Sequence, residues 1–344
     1  MGRAGSGRPT IADVAARAGV SVGAVSAAVN GKGRLSEATR LRVLAAAAEL
    51  GWAPSAAAVA LRGARVGALG LVLRRDPDLL SSDPHFAQLV TGVESALAPL
   101  GWGLLLHLVD DGGEERAYRA LAAGRRVDGV VLTESRVRDP RFALLRELGL
   151  PAALVGTPWR PDPVPTVRAR DQHRGITRAV EHLVGLGHRR FGHVSGPEDR
   201  VHTRRRRAAL RRALGAHGLV PVCVRASGFD PGAAAVAARE LLTSAERPTA
   251  VLFANDSMAA AGLVTARRLG IDVPGELSVV GHDDLPLCEL LHPALTTVRQ
   301  DLVGLGRAAA VTLLAGLGVV DGAGLEEVRP PELVVRESTG PAPR

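Results

Sequence analysis

Residues Pro9 to Asn30, PTIADVAARAGVSVGAVSAAVN, carry two short helical patterns joined by a turn at Ala18-Gly19-Val20-Ser21. Thr10 stands at an N-cap with Asp13 three residues on as its capping-box partner, and Ile11, Val14 and Ala15 recur at helical spacing on one apolar face. Gly19 ends the first helix: a chain reversing within a few residues needs a left-handed position, which glycine takes without a Cβ clash, and Ser21 then caps the next helix. In the second helix Val25 and Val29 are four apart and pack inward, which leaves Ser21, Val22, Gly23, Ser26 and Ala27 facing outward. Taken alone, the pattern suits an ordinary helical hairpin as well as a helix-turn-helix, whose second helix enters the DNA major groove.

A third helix follows from an N-cap at Ser36 through Leu41, Val43, Leu44 and Leu50 to Gly51, and then the Ala-rich segment Ser55 to Gly63. Charge concentrates at this end. Nine Lys and Arg against three carboxylates give residues 1–65 six of the eight net positive charges of the 344-residue chain, the footprint of a module that meets a phosphate backbone. Residues 1–9, rich in Gly, Arg and Ser, read as a mobile arm.

At 344 residues the chain exceeds one small domain. Its two cysteines, Cys223 and Cys288, have neither CxxC nor zinc spacing, so no disulfide framework, structural metal or cofactor is expected. With no export signal and no run of about eighteen apolar residues, a cytoplasmic protein without a membrane partner is expected.

From Val66 onward, apolar runs at Gly67–Leu73, Gly103–Val109, Val127–Leu132, Ala152–Gly156, Phe191–Ser195, Val220–Ala226, Ala250–Ala254 and Leu277–Gly281 read as buried strands. Amphipathic helical stretches alternate with them, which predicts an α/β architecture of two doubly wound parallel sheets. In such sheets a ligand binds beyond the carboxyl ends of the strands. A Rossmann-like enzyme would need GxGxxG, a P-loop or a nucleophile elbow, and none of these is present. His182, His188 and His193 read as helix-end and strand positions rather than metal ligands.

TIADVAARAGVS, Val25-Ser26, Val29-Asn30, LSEATRLRV, ELGWAPSAAA and Leu61 to Gly63 together resemble the LacI/GalR family of bacterial repressors in order and spacing. So do RVDGVVL at Arg126, AVEHLVGLGHRRFGHVSG, ANDSM at Ala254, LSVVGHDD and HPALTTVRQD. The resemblance implies an all-α helix-turn-helix domain over 1–54, a hinge helix and linker over 55–65, and a two-lobed, periplasmic-binding-protein-like effector and dimerisation domain over 66–340. The lobe nearer the DNA would hold about 66–166 and 299–327, and the distal lobe about 167–298 and 328–340. It implies a homodimer on a palindromic double-stranded operator, released or retained according to a small-molecule effector, a sugar or sugar derivative. A cytosolic sugar-binding protein, or a co-repressor-dependent regulator without inducer, is the alternative.

The same resemblance assigns DNA contacts to Thr10, Ser21, Val22, Gly23, Ala24, Ser26, Ala27, Asn30, Arg34, Ser55, Ala58 and Leu61. It assigns effector contacts to Asp83, His85, Phe86, Arg206, Asn255 and Asp283. A carboxylate, an amide and a guanidinium converging on one cleft suit vicinal hydroxyls; Asp256, beside Ser257, reads instead as a helix cap. Two departures stand out. The second helix offers only small side chains, so readout rests on thymine methyls, the hinge and DNA deformability. Aromatics are 3% of the chain, so a stacking platform for a sugar ring is thin, with Phe86 and Trp159 as its candidates, and an anionic or phosphorylated effector stays open. The hinge Ser55–Arg62 is too short to be stable alone and would order on DNA, with Leu61 wedged into a minor-groove base step.

Overall fold

The computed structural model describes residues 9–29, 35–52, 65–74, 84–226, 228–321 and 327–344. They divide into two compact units, residues 1–66 and 67–344. Asn30, Arg34, Ser55, Ala58, Leu61 and Asp83 lie outside the described residues.

In the first unit, α1 (Ile11–Ala18), α2 (Val22–Val29) and α3 (Glu37–Glu49) close on a core of Val14, Ala15, Val25, Ala28, Val43, Ala46 and Ala47. The capping box forms: Thr10 Oγ1 accepts from Asp13 N–H at 3.4 Å, and Thr10 N–H donates to Asp13 Oδ2 at 2.7 Å. Gly19 takes φ 64°, and Ser21 and Ser36 cap the next two helices through the amides of Ala24 and Thr39, both at 3.2 Å. The inward face of α3 differs from its leucines. Leu41 and Leu44 are exposed, and the alanines fill the core because three short helices crossing closely leave room only for small side chains.

In the second unit, β1 (Ala68–Arg74), β2 (Gly103–Val109), β3 (Gly129–Leu132), β4 (Ala152–Val155) and β5 (Thr166–Val167) form, among the described residues, a parallel sheet in the order β2-β1-β3-β4-β5. Helix α4 (His85–Leu97) packs on one face of this first lobe, and α5 (Gly113–Ala123) with α6 (Arg141–Glu147) covers the other. A late helix, α12 (Leu302–Gly316), joins α4. The two cross at glycines: a Cβ on Gly92 would stand 2.1 Å from Val303 O, and one on Gly306 2.1 Å from Leu89 O.

The second sheet runs β11-β10-β9-β8-β6-β7. It is built from β6 (Phe191–Ser195), β7 (Pro221–Ala226), β8 (Ala250–Phe253), β9 (Ser278–Asp283), β10 (Thr296–Arg299) and β11 (Glu332–Val334), the last antiparallel to β10. Around it pack α7 (Arg174–Gly185), α8 (Val201–Gly215), α9 (Pro231–Leu242) and α10 (Asp256–Arg268), with the short α11 (Leu287–Leu290) after β9. The chain passes between the lobes after β5, after β10 and again before β11. The loops after β3 and β6 also meet, Val137 N–H donating to Asp199 O at 2.8 Å and Val201 N–H to Ser135 O at 2.9 Å. The whole is thus an all-α helix-turn-helix unit plus a two-lobed α/β unit with parallel sheets. The elements β5, β10, β11 and α12 were not legible as apolar runs or amphipathic stretches.

Candidate functional site

The carboxyl ends of both sheets face a cleft that holds a cavity of about 150 Å³. The first lobe contributes His85 and Leu89 of α4, Thr133 to Ser135 after β3, Val155 to Thr157 at the end of β4, and Leu302 and Leu305 of α12. Arg168, Ala169, Gln172 and His173 between β5 and α7, with Gln300 after β10, line it where the chain changes lobes. The second lobe adds Val201, His202, Arg205 and Arg206 of α8, Phe229, Ala254, Asn255 and Asp283.

Asp283, the last residue of β9, is the electrostatic centre of this cavity. It is buried, with φ 112°, a region that asparagine and aspartate tolerate better than other non-glycine residues. Its Oδ1 accepts from Gln300 Nε2 at 2.5 Å and faces Arg206 Nη2 at 4.0 Å, while its Oδ2 lies 3.5 Å from His85 Nδ1. Burial alone would raise the carboxyl's pKa; His85 beside it, with His282 and Arg206, outweighs that and holds it well below the usual carboxylate range. Asp283 is therefore an anion with acceptor capacity toward the cavity. Arg206 donates Nη1–H to Ala254 O at 2.9 Å, which fixes its planar fork beside that carboxylate.

Asn255 is the N-cap of α10: its Oδ1 accepts from Met258 N–H at 2.8 Å, and its Nδ2 stands 3.5 Å from Phe229 O. Asp256, read as a cap from sequence, is instead the first helical residue. It is fully buried, and its carboxylate accepts from Leu285 N–H at 2.8 Å and Thr297 Oγ1–H at 2.5 Å, tying α10 to β10 and to the turn after β9. Burial, with Asp283 nearby, pushes its pKa up to about 7.

The ring of His202 stacks on Phe229 with centroids 5.5 Å apart, and burial with nearby Arg206 brings its pKa down to about 3, so it lines the cavity as a neutral ring. The histidines weighed as metal ligands are spent on hydrogen bonds. His182 pairs with Thr339 Oγ1 at 3.0 Å, His188 bridges Thr249 Oγ1 and Gly340 O at 2.9 and 3.0 Å, and His193 Nδ1–H donates to Leu252 O at 2.9 Å.

Of the expected effector contacts, His85, Arg206, Asn255 and Asp283 meet in this one cavity. Phe86 does not. Successive helical residues point about 100° apart, so with His85 turned to the cleft the Phe86 ring goes into the first-lobe core beside Leu69 and Leu71. Trp159 also lies off the cavity, under the Arg204 guanidinium at 5.3 Å. Gln300, His173, His202, Arg168 and Arg205 were missed; the rule that ligands sit beyond strand ends would have found Arg168 and Gln300 had β5 and β10 been recognised. On α2 and its cap, Ser21, Val22 and Gly23 are exposed, while Ala24, Ser26 and Ala27 are half-buried. Thr10 is exposed, its hydroxyl engaged with Asp13.

A capped helix-turn-helix and a two-lobed cleft in one chain define a ligand-responsive DNA-binding regulator. Residues 10–55 match the bacterial regulatory proteins of the lacI family, and residues 180–339 match the periplasmic binding protein-like domain. The chain is 35% identical over 339 residues to the HTH-type transcriptional regulator CelR of Thermobifida fusca, covering 96% of this chain and 98% of that one. It is likewise 35% identical to MalR of Streptomyces coelicolor, with 97% of each covered. Among solved structures it resembles the CelR–cellobiose complex (34% identity, TM-score 0.71, 96% of this chain and all of that one). It also resembles the lac repressor dimer bound to operator and the anti-inducer ONPF (28% identity, TM-score 0.82, 97% of this chain and all of that one). The chain belongs to the LacI family of transcriptional regulators. Among the described residues no single helix is long and apolar enough to cross a membrane.

Proposed function

We propose that this protein is a dimeric repressor of the bacterial cytoplasm that binds a palindromic operator and changes its hold on that operator when a small hydroxylated effector, a carbohydrate or carbohydrate derivative, enters the cleft. It carries out no catalysis. The observation that supports this reading is the convergence of Asp283, Arg206 and Asn255 on one cleft cavity in a chain that also carries a capped helix-turn-helix. A buried carboxylate offers acceptors, a guanidinium offers forked donors, and both are held in place by protein partners, the arrangement that vicinal hydroxyls require. The relative crystallised with cellobiose supports a sugar-like ligand.

The working parts in this reading are a DNA-binding domain over 1–54, a hinge over 55–65 and an effector and dimerisation domain over 66–340. Ser21, Val22, Gly23, Ala24, Ser26 and Ala27 face the major groove with Thr10, Asn30 and Arg34 beside them, and Ser55, Ala58 and Leu61 meet the minor groove. Effector entry shifts the lobes, the paired hinges pack differently, and operator affinity changes by about 1–3 kcal/mol of coupling. The test is selection of palindromic sites with the full chain, followed by fluorescence anisotropy at physiological salt with and without a sugar panel. A preferred palindrome whose affinity responds to one sugar class is expected. Equal binding to random duplex under every condition overturns the reading.

A further inference from the structure

We infer that the effector carries an anionic group, a carboxylate or a phosphate, which the α7–α8 wall of the cavity receives while Asp283 and Asn255 hold its hydroxyls. This rests on the effector-site reading above and adds the charge of the ligand.

The cavity's own charges do not cancel. Three guanidiniums line it, Arg168, Arg205 and Arg206, against two carboxylates, Glu134 and Asp283. Arg206 is already answered by Asp283 and by Ala254 O. Arg168 and Arg205 make no ion pair within the described residues, although both border the cleft. Both are exposed side chains at the rim of the cavity, whereas deeper guanidiniums of this arginine-rich chain are matched: Arg136 by Glu114, Arg141 by Asp139 at 2.7 Å, and Arg336 by Asp284 at 2.8 Å.

The two unmatched arginines enter the cavity lining from two different stretches of chain. Arg168 directly follows β5 at the entry to α7, and Arg205 stands one turn after His202 on α8. The two helices share one core, in which Ile176, Ala179 and Leu183 pack with Ala209, Leu210 and Ala213. His173, at the N-cap of α7, is depressed below the usual histidine range by burial and by Arg212, Arg205 and Arg206, which locates it in the same positive field.

That wall also carries unmet hydrogen-bonding capacity. His173 Nδ1 is buried without a hydrogen-bond partner, and across the cleft so is Thr157 Oγ1; both residues line the cavity. Buried polar atoms cost stability unless partnered, and here the space beside them is ligand space. A compact group with several acceptor oxygens supplies the kind of partner these donors lack, and carboxylates and phosphates match the guanidinium fork in geometry as well as charge. Stacking is the weaker handle, because the aromatic surface offered is one Phe229–His202 pair.

The experiment uses the full chain and matched probes: glucose, galactose, fructose and ribose, each compared with its phosphate ester and, where one exists, its uronate, plus inorganic phosphate alone. Thermal shift identifies binders, and isothermal titration then compares each pair. At least one anionic member is expected to bind tenfold or more tighter than its neutral parent, and the double substitution Arg168→Gln/Arg205→Gln is expected to erase that margin. Phosphate binding as strongly as the ester would assign the site to the anion itself without the sugar and overturn the inference. So would neutral parents that bind equally well, a panel without any anionic binder, or a margin that survives the double substitution. Operator anisotropy on the same preparation separates the two readings: a palindrome response to a neutral sugar sinks the charge assignment alone, whereas loss of palindrome preference sinks the regulator reading.

Discussion

Gln300 Nε2 donates to Asp283 Oδ1 at 2.5 Å, so the carboxylate at the end of β9 is oriented by the residue at which the chain leaves β10 for α12 of the other lobe. The carboxylate proposed to grip a ligand and a crossing between lobes thereby share one hydrogen bond. Asp283→Asn is expected to weaken effector binding by about 10- to 100-fold, the weight of a charge-assisted hydrogen bond of about 1.5–3 kcal/mol. Asparagine tolerates the positive φ, so the melting temperature serves as the folding control and isothermal titration as the readout. Gln300→Ala, which removes only the orienting donor, is expected to cost less.

Acid stability carries opposing signs. Buried His193 and half-buried His202 are lowered to about 4 and about 3, and His282 well below 6.5, so between these values and 6.5 the unfolded chain binds protons that the folded one refuses. Their stabilising effect is lost as pH falls below about 6.5. Asp256 runs the other way: raised to about 7 from 3.8, it holds a proton in the fold that the unfolded chain lacks, and its contribution fades as pH rises across that window. The histidines outnumber it, so the melting temperature is expected to drop from pH 7 to pH 5. Asp256→Asn is expected to make that drop steeper.

Glu114 lies between two buried guanidiniums, ion-paired with Arg136 and 3.6 Å from Arg141, which also holds Asp139. Glu114→Gln leaves Arg136 buried without its carboxylate. A loss of about 3 kcal/mol is expected, the lower end for breaking a buried pair, and chemical denaturation measures it.

The α4–α12 crossing tolerates no added carbon. Gly306→Ala is expected to destabilise the second unit by about 3 kcal/mol or more, since the clash is with the Leu89 backbone rather than with a movable side chain. Gly19→Ala is a contrasting case: nothing lies within 4 Å of its Cβ position, so only the left-handed φ of 64° is penalised. About 1 kcal/mol is expected, read as faster amide exchange in α1 and weaker operator binding.

The helix-turn-helix was legible because caps are local: Thr10, Ser21 and Ser36 each act within three residues of themselves. The longer buried strands were legible as apolar runs. Strand β5 has only two residues, β10 reads Thr-Thr-Val-Arg where the equally short β3, β4 and β8 are apolar, and α12 is apolar around most of its circumference because it is packed on several sides, which erases the 3.6-residue stripe. With those elements hidden, Arg168 and Gln300 could not be placed at strand ends. Phe86 was misjudged by its neighbour, since adjacency in sequence is divergence on a helix. Asp256 and Asn255 are also adjacent; which one caps depends on where the helix begins, and Thr297, which claims Asp256, lies 41 residues away.

Asn255, Arg206 and Asp283 all belong to the second lobe, whereas His85 reaches the same carboxylate from the first. Asp283 is thus framed by groups from both halves of the molecule, so any change in their spacing would register first at this carboxylate.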